Sequence, residues 1–249
     1  MTDFLAEAPA LSGRPIMGQA WRSLVFLHWA VDPAVVAPLL PRGVVPDVLG
    51  GWTYVGLVGF WLQDGGLGRG PAVPWLGSFA EVNVRLYSID AAGTRGVVFR
   101  SLETTRLLVA LGARATFGTP YMWTRIRAVD RPEEVSYETS RRLPGPRGAG
   151  GRFAVRPGAK IERPSPVEHF ITARFGLHTR WLGRTLYVPN HHTPWPLHAA
   201  ELLDLQDSLV AAAGFGGLTG RPPDSVLYSP GVRTEFAMPW VVRDPRVDL

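Results

Sequence analysis

The chain has no cysteine and a single lysine, Lys160, among 26 basic residues. Without thiols it can form no disulfide, no thiolate zinc site and no cysteine nucleophile. The other basic residues are all arginine, so the sequence pI near 10.1 owes much to the high pKa of the guanidinium. These arginines are not gathered into a run. Arg141-Arg142 is the only adjacent pair, and a net charge of +5 spread in this way is not the footprint of a nucleic-acid binder. Long apolar runs are also missing. Stretches such as Tyr54 to Leu62 reach about half the ~18 residues a membrane helix needs. Residues 1–15 carry Asp3 and Glu7 and no basic start before an apolar stretch, which argues against a secretory signal. The expectation is a soluble, cytoplasmic protein with neither a nucleic-acid nor a membrane partner.

Several chemical motifs are absent too. The chain has no HExxH spacing for a metal and no Gly-x-Ser-x-Gly nucleophile elbow. Gly65 to Gly70 lacks the spacing of a phosphate loop, and Pro71 and Pro74 follow where a helix would be needed. It is expected to be a flexible loop. Gly214 to Gly220 is a similar near-miss. No metal and no cofactor are expected.

What is present is apolar and frequently turned: 46% hydrophobic residues, nine Trp, eleven Phe, 28 Gly and 23 Pro. No linker divides the chain. The organisation expected is a loose arm over 1–14, one domain over 15–240 and a tail over 241–249. Within the domain, alternating runs predict many strands. In Trp21 to Val31, Leu24, Phe26 and His28 share one face and Val25, Leu27 and Trp29 the other. Trp52 to Leu62, apolar on both faces, reads as a buried central strand. Asp32-Pro33 starts a short helix, and Ser165-Pro166-Val167-Glu168 has the form of a capping box. A helix is expected from Thr104 to Leu111, ending at Gly112. The longest is expected from Pro196 to Ala213, with Leu202, Leu205 and Leu209 at helical spacing. Separate strands are expected at Ser225–Tyr228 and Val232–Met238. The fold class is mainly β (α+β).

Phe79 to Tyr87 stands apart. Ala80, Val82, Val84 and Leu86 form one face; Phe79, Glu81, Asn83, Arg85 and Tyr87 form the other. An acid, an amide and a guanidinium in a row are either a solvated face or the wall of a prepared polar site. His28, in Phe26-Leu27-His28-Trp29, is either a satisfied core residue or a catalyst. His191 and His192 are adjacent, so on a strand they point opposite ways and cannot share a metal; His192 is the candidate to line a cleft. Phe117-Gly118-Thr119-Pro120-Tyr121 is a glycine turn into a strand headed by Tyr121.

Taken together, Leu27-His28-Trp29, Phe79-x-Glu81-x-Asn83-x-Arg85-x-Tyr87, Phe117-Gly118-Thr119-Pro120-Tyr121, Phe170-x-x-x-Arg174-Phe175 and His192-Thr193-Pro194-Trp195 resemble a known pattern. It is that of the YqjF-like bacterial family, a domain of unknown function within the acetoacetate decarboxylase-like superfamily. The resemblance implies a single antiparallel, cone-like β-barrel with a central cavity and a few outer helices. In the decarboxylases a lysine after the Gly-x-Pro element forms a Schiff base and a second lysine lowers its pKa, with desolvation as a further contributor. A glutamate upstream matches Glu81. The two lysine positions are occupied here by Tyr121 and Met122, so imine chemistry is not expected. The reading that the residues then support is a cavity holding a small carbonyl or carboxylate molecule. Glu81, Tyr121 and His28 would supply acid–base lyase or isomerase chemistry, and Arg85, Asn83, Tyr87 and His192 would bind the ligand. The alternative is a non-catalytic binder of small hydrophobic ligands that lost the nucleophile. A homo-oligomer is compatible with either.

Overall fold

Residues 7–244 are described by a computed structural model. The expected arm and tail therefore lie partly outside the described residues. The strands are β1 (Met17–Val31), β2 (Val44–Pro46), β3 (Thr53–Leu67), β4 (Phe79–Asp90), β5 (Arg95–Thr104), β6 (Tyr121–Arg131) and β7 (Glu134–Leu143). They continue as β8 (Gly150–Lys160), β9 (Gly176–Trp181), β10 (Arg184–His192), β11 (His198–Asp207), β12 (Ser225–Phe236) and β13 (Trp240–Val241). The helices are short: α1 (Pro33–Val36), α2 (Leu107–Phe117), α3 (Pro166–Thr172) and α4 (Leu209–Ala212). None in the described chain is long and apolar enough to cross a membrane.

All thirteen strands belong to one sheet, and its pairing closes on itself. One closure runs through nine strands, β5-β6-β7-β8-β11-β12-β1-β3-β4 and back to β5. A second uses the β10–β12 pairing and runs β12-β1-β3-β4-β5-β9-β10. Closure pairs most strand edges within the rings, while β2 and β13 stand outside them. The pairings are antiparallel, as expected, except β5 with β6 and β5 with β9, which are parallel.

The shared strands β1, β3 and β4 are buried on both faces, and each face packs on its own core. Val25, Leu27, Val55, Leu57, Val82, Val84 and Leu86 enter one cluster. Leu24, Phe26, Tyr54, Val58, Phe60, Phe79 and Tyr87 enter the other, where α3 adds Phe170 and Ile171. This matches the face assignments read for β1. Ser165 and Glu168 form the capping box of α3 reciprocally, and Asp32 caps α1.

Four expectations are corrected. Pro196–Ala213 is not a helix but β11 followed by the single turn of α4. Leu202 pairs with Val155 and Leu205 with Phe153, with a bulge between Leu202 and Asp204. The extra residue brings Leu202 and Leu205, three apart, onto one face, which imitates helical spacing. Helix α2 runs past Gly112 to Gly118, whose φ of 65° ends it. Gly65 and Gly66 belong to β3, where a side chain on Gly66 would sit 2.5 Å from the Pro71 carbonyl oxygen. The two C-terminal strands are one, β12.

Candidate functional site

The period-2 pleat puts Glu81, Asn83, Arg85 and Tyr87 on one face of β4, and that face is not solvated. Glu81 and Asn83 are each 3% exposed and Tyr87 is fully buried. The parallel pairing of Leu102 with Tyr121, beside the pairing of Asn83 with Leu102, carries Tyr121 onto the same face. Its hydroxyl donates to Glu81 Oε2 at 2.9 Å. Asn83 lies next to Glu81 on this face, and its Oδ1 is buried without a partner.

Burial dominates the chemistry of this group. It pushes the Glu81 carboxyl up to about 8, against the lowering effect of the hydrogen bond from Tyr121 and of the neighbouring Asn83; the charge of Glu103 adds to the rise. At neutral pH Glu81 is therefore mostly protonated, with a pKa placed to exchange protons in that range. Tyr121 is raised well above its ordinary value by burial and by the adjacent Glu81, so it remains a hydroxyl and a donor.

A second polar group lies farther along the same strand. The Arg85 Nε donates to the Tyr87 hydroxyl at 3.0 Å and its Nη2 to the Ile171 carbonyl at 2.8 Å. Tyr87 is also 2.9 Å from Ile171 O and 2.6 Å from His28 Nε2. Ile171 O can only accept, so the Tyr87 proton goes there. His28 Nε2–H then donates to the Tyr87 oxygen, leaving Nδ1 as a bare lone pair with no partner. Burial and the charge of Arg85 hold His28 well below its usual pKa, so it is neutral. Gly56 makes room for this ring: a Cβ there would lie 2.6 Å from His28 Nε2.

Glu81 and Arg85 form no ion pair with each other. His192 is buried, with Nδ1 donating to Thr193 O at 2.7 Å and Nε2 unpartnered. It packs between Phe175 and Trp195, beside a cavity of about 40 Å³ lined also by His169. A second, larger cavity of about 750 Å³ opens beside β5 and β9. Neither is lined by Glu81, Tyr121 or His28.

The sequence did not single out two buried ion clusters. Glu103, fully buried on the opposite face of the sheet, accepts from Thr124 at 2.5 Å and from Arg141 Nε and Nη2 at 3.1 and 2.5 Å. Asp47 accepts from Arg174, whose guanidinium lies over the Phe170 ring. Glu103 is the one acid in β5, a strand that also holds Arg95 and Arg100, so its charge alone did not mark it as buried.

The fold has counterparts among solved structures. The enduracididine biosynthesis enzyme MppR complexed with pyruvate superposes with a TM-score of 0.60 at 16% identity, covering 94% of this chain and 93% of that one. The acetoacetate decarboxylase of Legionella pneumophila gives 0.57 at 15% identity, covering 96% and 93%. At these identities the likeness establishes the fold, that of the acetoacetate decarboxylase-like proteins. In sequence, the uncharacterized protein YqjF of Bacillus subtilis (strain 168) is 29% identical over 191 residues, 75% of this chain and 76% of YqjF. Residues 18–233 match the profile of DUF2071, described as an uncharacterized conserved protein family (COG2071), and the chain belongs to that family.

Proposed function

We propose that the chain binds a small carbonyl or carboxylate compound against the Glu81 face of β4 and acts on it as a lyase or isomerase, by proton transfer without an imine. The observation that carries this reading is the buried Glu81 carboxyl, with a pKa near 8, hydrogen-bonded to Tyr121. Strongly perturbed groups of this kind concentrate at functional sites. As a carboxylate, Glu81 takes a proton from the carbon next to a ligand carbonyl. The electron pair of that C–H bond moves to give an enolate; as Glu81 becomes neutral, the Tyr121 hydroxyl turns from Glu81 Oε2 to donate its one hydrogen bond to the developing oxyanion. Returning the proton from Glu81 to a different atom completes an isomerisation. Arg85, with Nη1 unused by described residues, pairs with the ligand carboxylate. Glu81 and Arg85 are two pleat repeats apart, about 13 Å between Cα atoms, so an extended oxo acid suits both groups. The pyruvate held by MppR supports the ligand class.

The second reading, a non-catalytic binder, is favoured by one observation. The Arg85–Tyr87–His28 group bonds largely within itself, as a structural cluster would. Titration calorimetry with 2-oxoglutarate and pyruvate tests binding directly. Saturable heats that weaken about tenfold in Arg85→Gln support the site. Heats unchanged by that substitution would remove Arg85 from it.

A further inference from the structure

On the edge of β5 away from β4, Val97 pairs with Leu177 of β9, and Leu102–Thr104 pair with β6. The stretch between them, residues 98–101, has no strand neighbour on that edge. This fork is one of the two places where the closures part, the other being β12. At the same place β5 carries an extra residue against β4: Arg85 pairs with Phe99 and Val84 with Ser101, so Arg100 is a bulge. A bulge unpairs a residue and re-aims its side chain, and bulges are over-represented next to sites. The fork opens into the cavity of about 750 Å³, lined by residues 38–42, 98–100, 118–120 and 177–180 with Gly183 and Thr185. That volume lies in the range of small-molecule sites.

The lining carries one sign of charge. Arg42, Arg100 and Arg180 contribute to it, and no Asp or Glu does. Arg100 Nε donates to Ala213 O at 3.2 Å and Nη1 to Leu39 O at 3.4 Å, so two carbonyls aim the guanidinium without neutralising it. Among the described residues none of the three arginines has an ion-pair partner. The contrast is with Arg141 and Arg174, which are more deeply buried and each have a carboxylate. The walls are fixed from within. Thr119, Thr179 and Thr185 donate to the carbonyls of Ala113, Phe117 and Arg42, tying α2, β9, β10 and the 38–42 segment together.

A half-buried arginine without a counter-ion, flanked by two more in a held cleft, is an arrangement an anion completes, since guanidinium groups bind phosphate and carboxylate bidentately. We propose that this cleft binds a small organic polyanion, bearing phosphate or several carboxylates, between Arg42, Arg100 and Arg180. The site is separate from the Glu81 face, whose residues do not line it.

The test is calorimetric titration of the full chain with pyrophosphate and, separately, with citrate at constant ionic strength. The expected result is saturable binding of at least one, with Kd below about 1 mM. It should weaken about tenfold or more in Arg42→Glu/Arg180→Glu, a pair on the exposed rim, and remain unchanged in Glu81→Gln. Arg100→Lys, which keeps the charge and loses the fork, should weaken it severalfold. Pyrophosphate alone would identify a phosphate ligand and citrate alone a polycarboxylate; binding of both would show recognition by charge. Saturable binding of neither, or binding that survives the double charge reversal, would overturn the proposal. Loss in Glu81→Gln would overturn the separateness of the two sites.

Discussion

Glu81 is costly to the fold wherever it is ionised, and the sign of that cost can be worked out. Its folded-state pKa, about 8, lies above the ordinary value of 4.5, so the folded chain binds more protons than the unfolded one between these limits. Its contribution to stability is therefore fully present below pH 4.5 and is lost as pH rises through 8, by at most about 5 kcal/mol. Glu81→Gln removes the titration. Relative to wild type, the variant should gain stability progressively from about pH 5 to 9 in urea unfolding. A constant difference across that range would show that Glu81 does not titrate there. Tyr87→Phe is the complementary case. It deletes an oxygen that accepts from His28 and Arg85 and a proton given to Ile171 O. With buried donors left unpaired, a loss of about 1–3 kcal/mol is expected by urea unfolding. The alternation of β4 made these residues legible as one face. Whether that face met solvent was not legible, because a polar stripe reads the same against water or a second core.

At the scale of elements, the strand over 198–207 reads as a helix because of one local irregularity. Period arguments assume an unbroken repeat, and the bulge in β11 breaks it. The three-residue interval between Leu202 and Leu205 then arises from a strand with one inserted residue. The same feature in β5, at Arg100, left no mark in the sequence at all, so the cleft was invisible there. Capping signals fared better. Asp32 and the Ser165–Glu168 box were readable because each depends on only a few consecutive residues. The end of α2 was placed one glycine too early. Gly112 has open space around its Cα, whereas a Cβ at Gly118 would lie 2.1 Å from the Arg180 carbonyl oxygen with φ at 65°. Gly118→Ala should therefore cost more than about 1 kcal/mol, and Gly112→Ala, inside the helix, should be neutral or stabilising. Thermal unfolding of the two variants compares them directly.

Across the whole molecule, two closures share five strands, and the polar residues are divided between the faces of those strands. Glu103 and Arg141 neutralise each other on one face, while Glu81 and Arg85 stay apart on the other. The resemblance seen in the sequence implied the fold that the structure shows. It also implied that Tyr121 and Met122 stand where the decarboxylases have lysines. Lys160, at the exposed end of β8, is paired with Glu162 at 3.0 Å. Borohydride in the presence of pyruvate should accordingly yield no covalent adduct by mass spectrometry. Proton transfer at Glu81 is measured by proton NMR of deuterium incorporation at C3 of 2-oxoglutarate and pyruvate in D₂O. Exchange should run about 100-fold or more above the protein-free rate, rise with pH through about 8 and be abolished in Glu81→Gln. Exchange no faster than buffer alone, with 2-oxoglutarate shown to be bound, would contradict proton transfer at Glu81 and leave a non-catalytic binder.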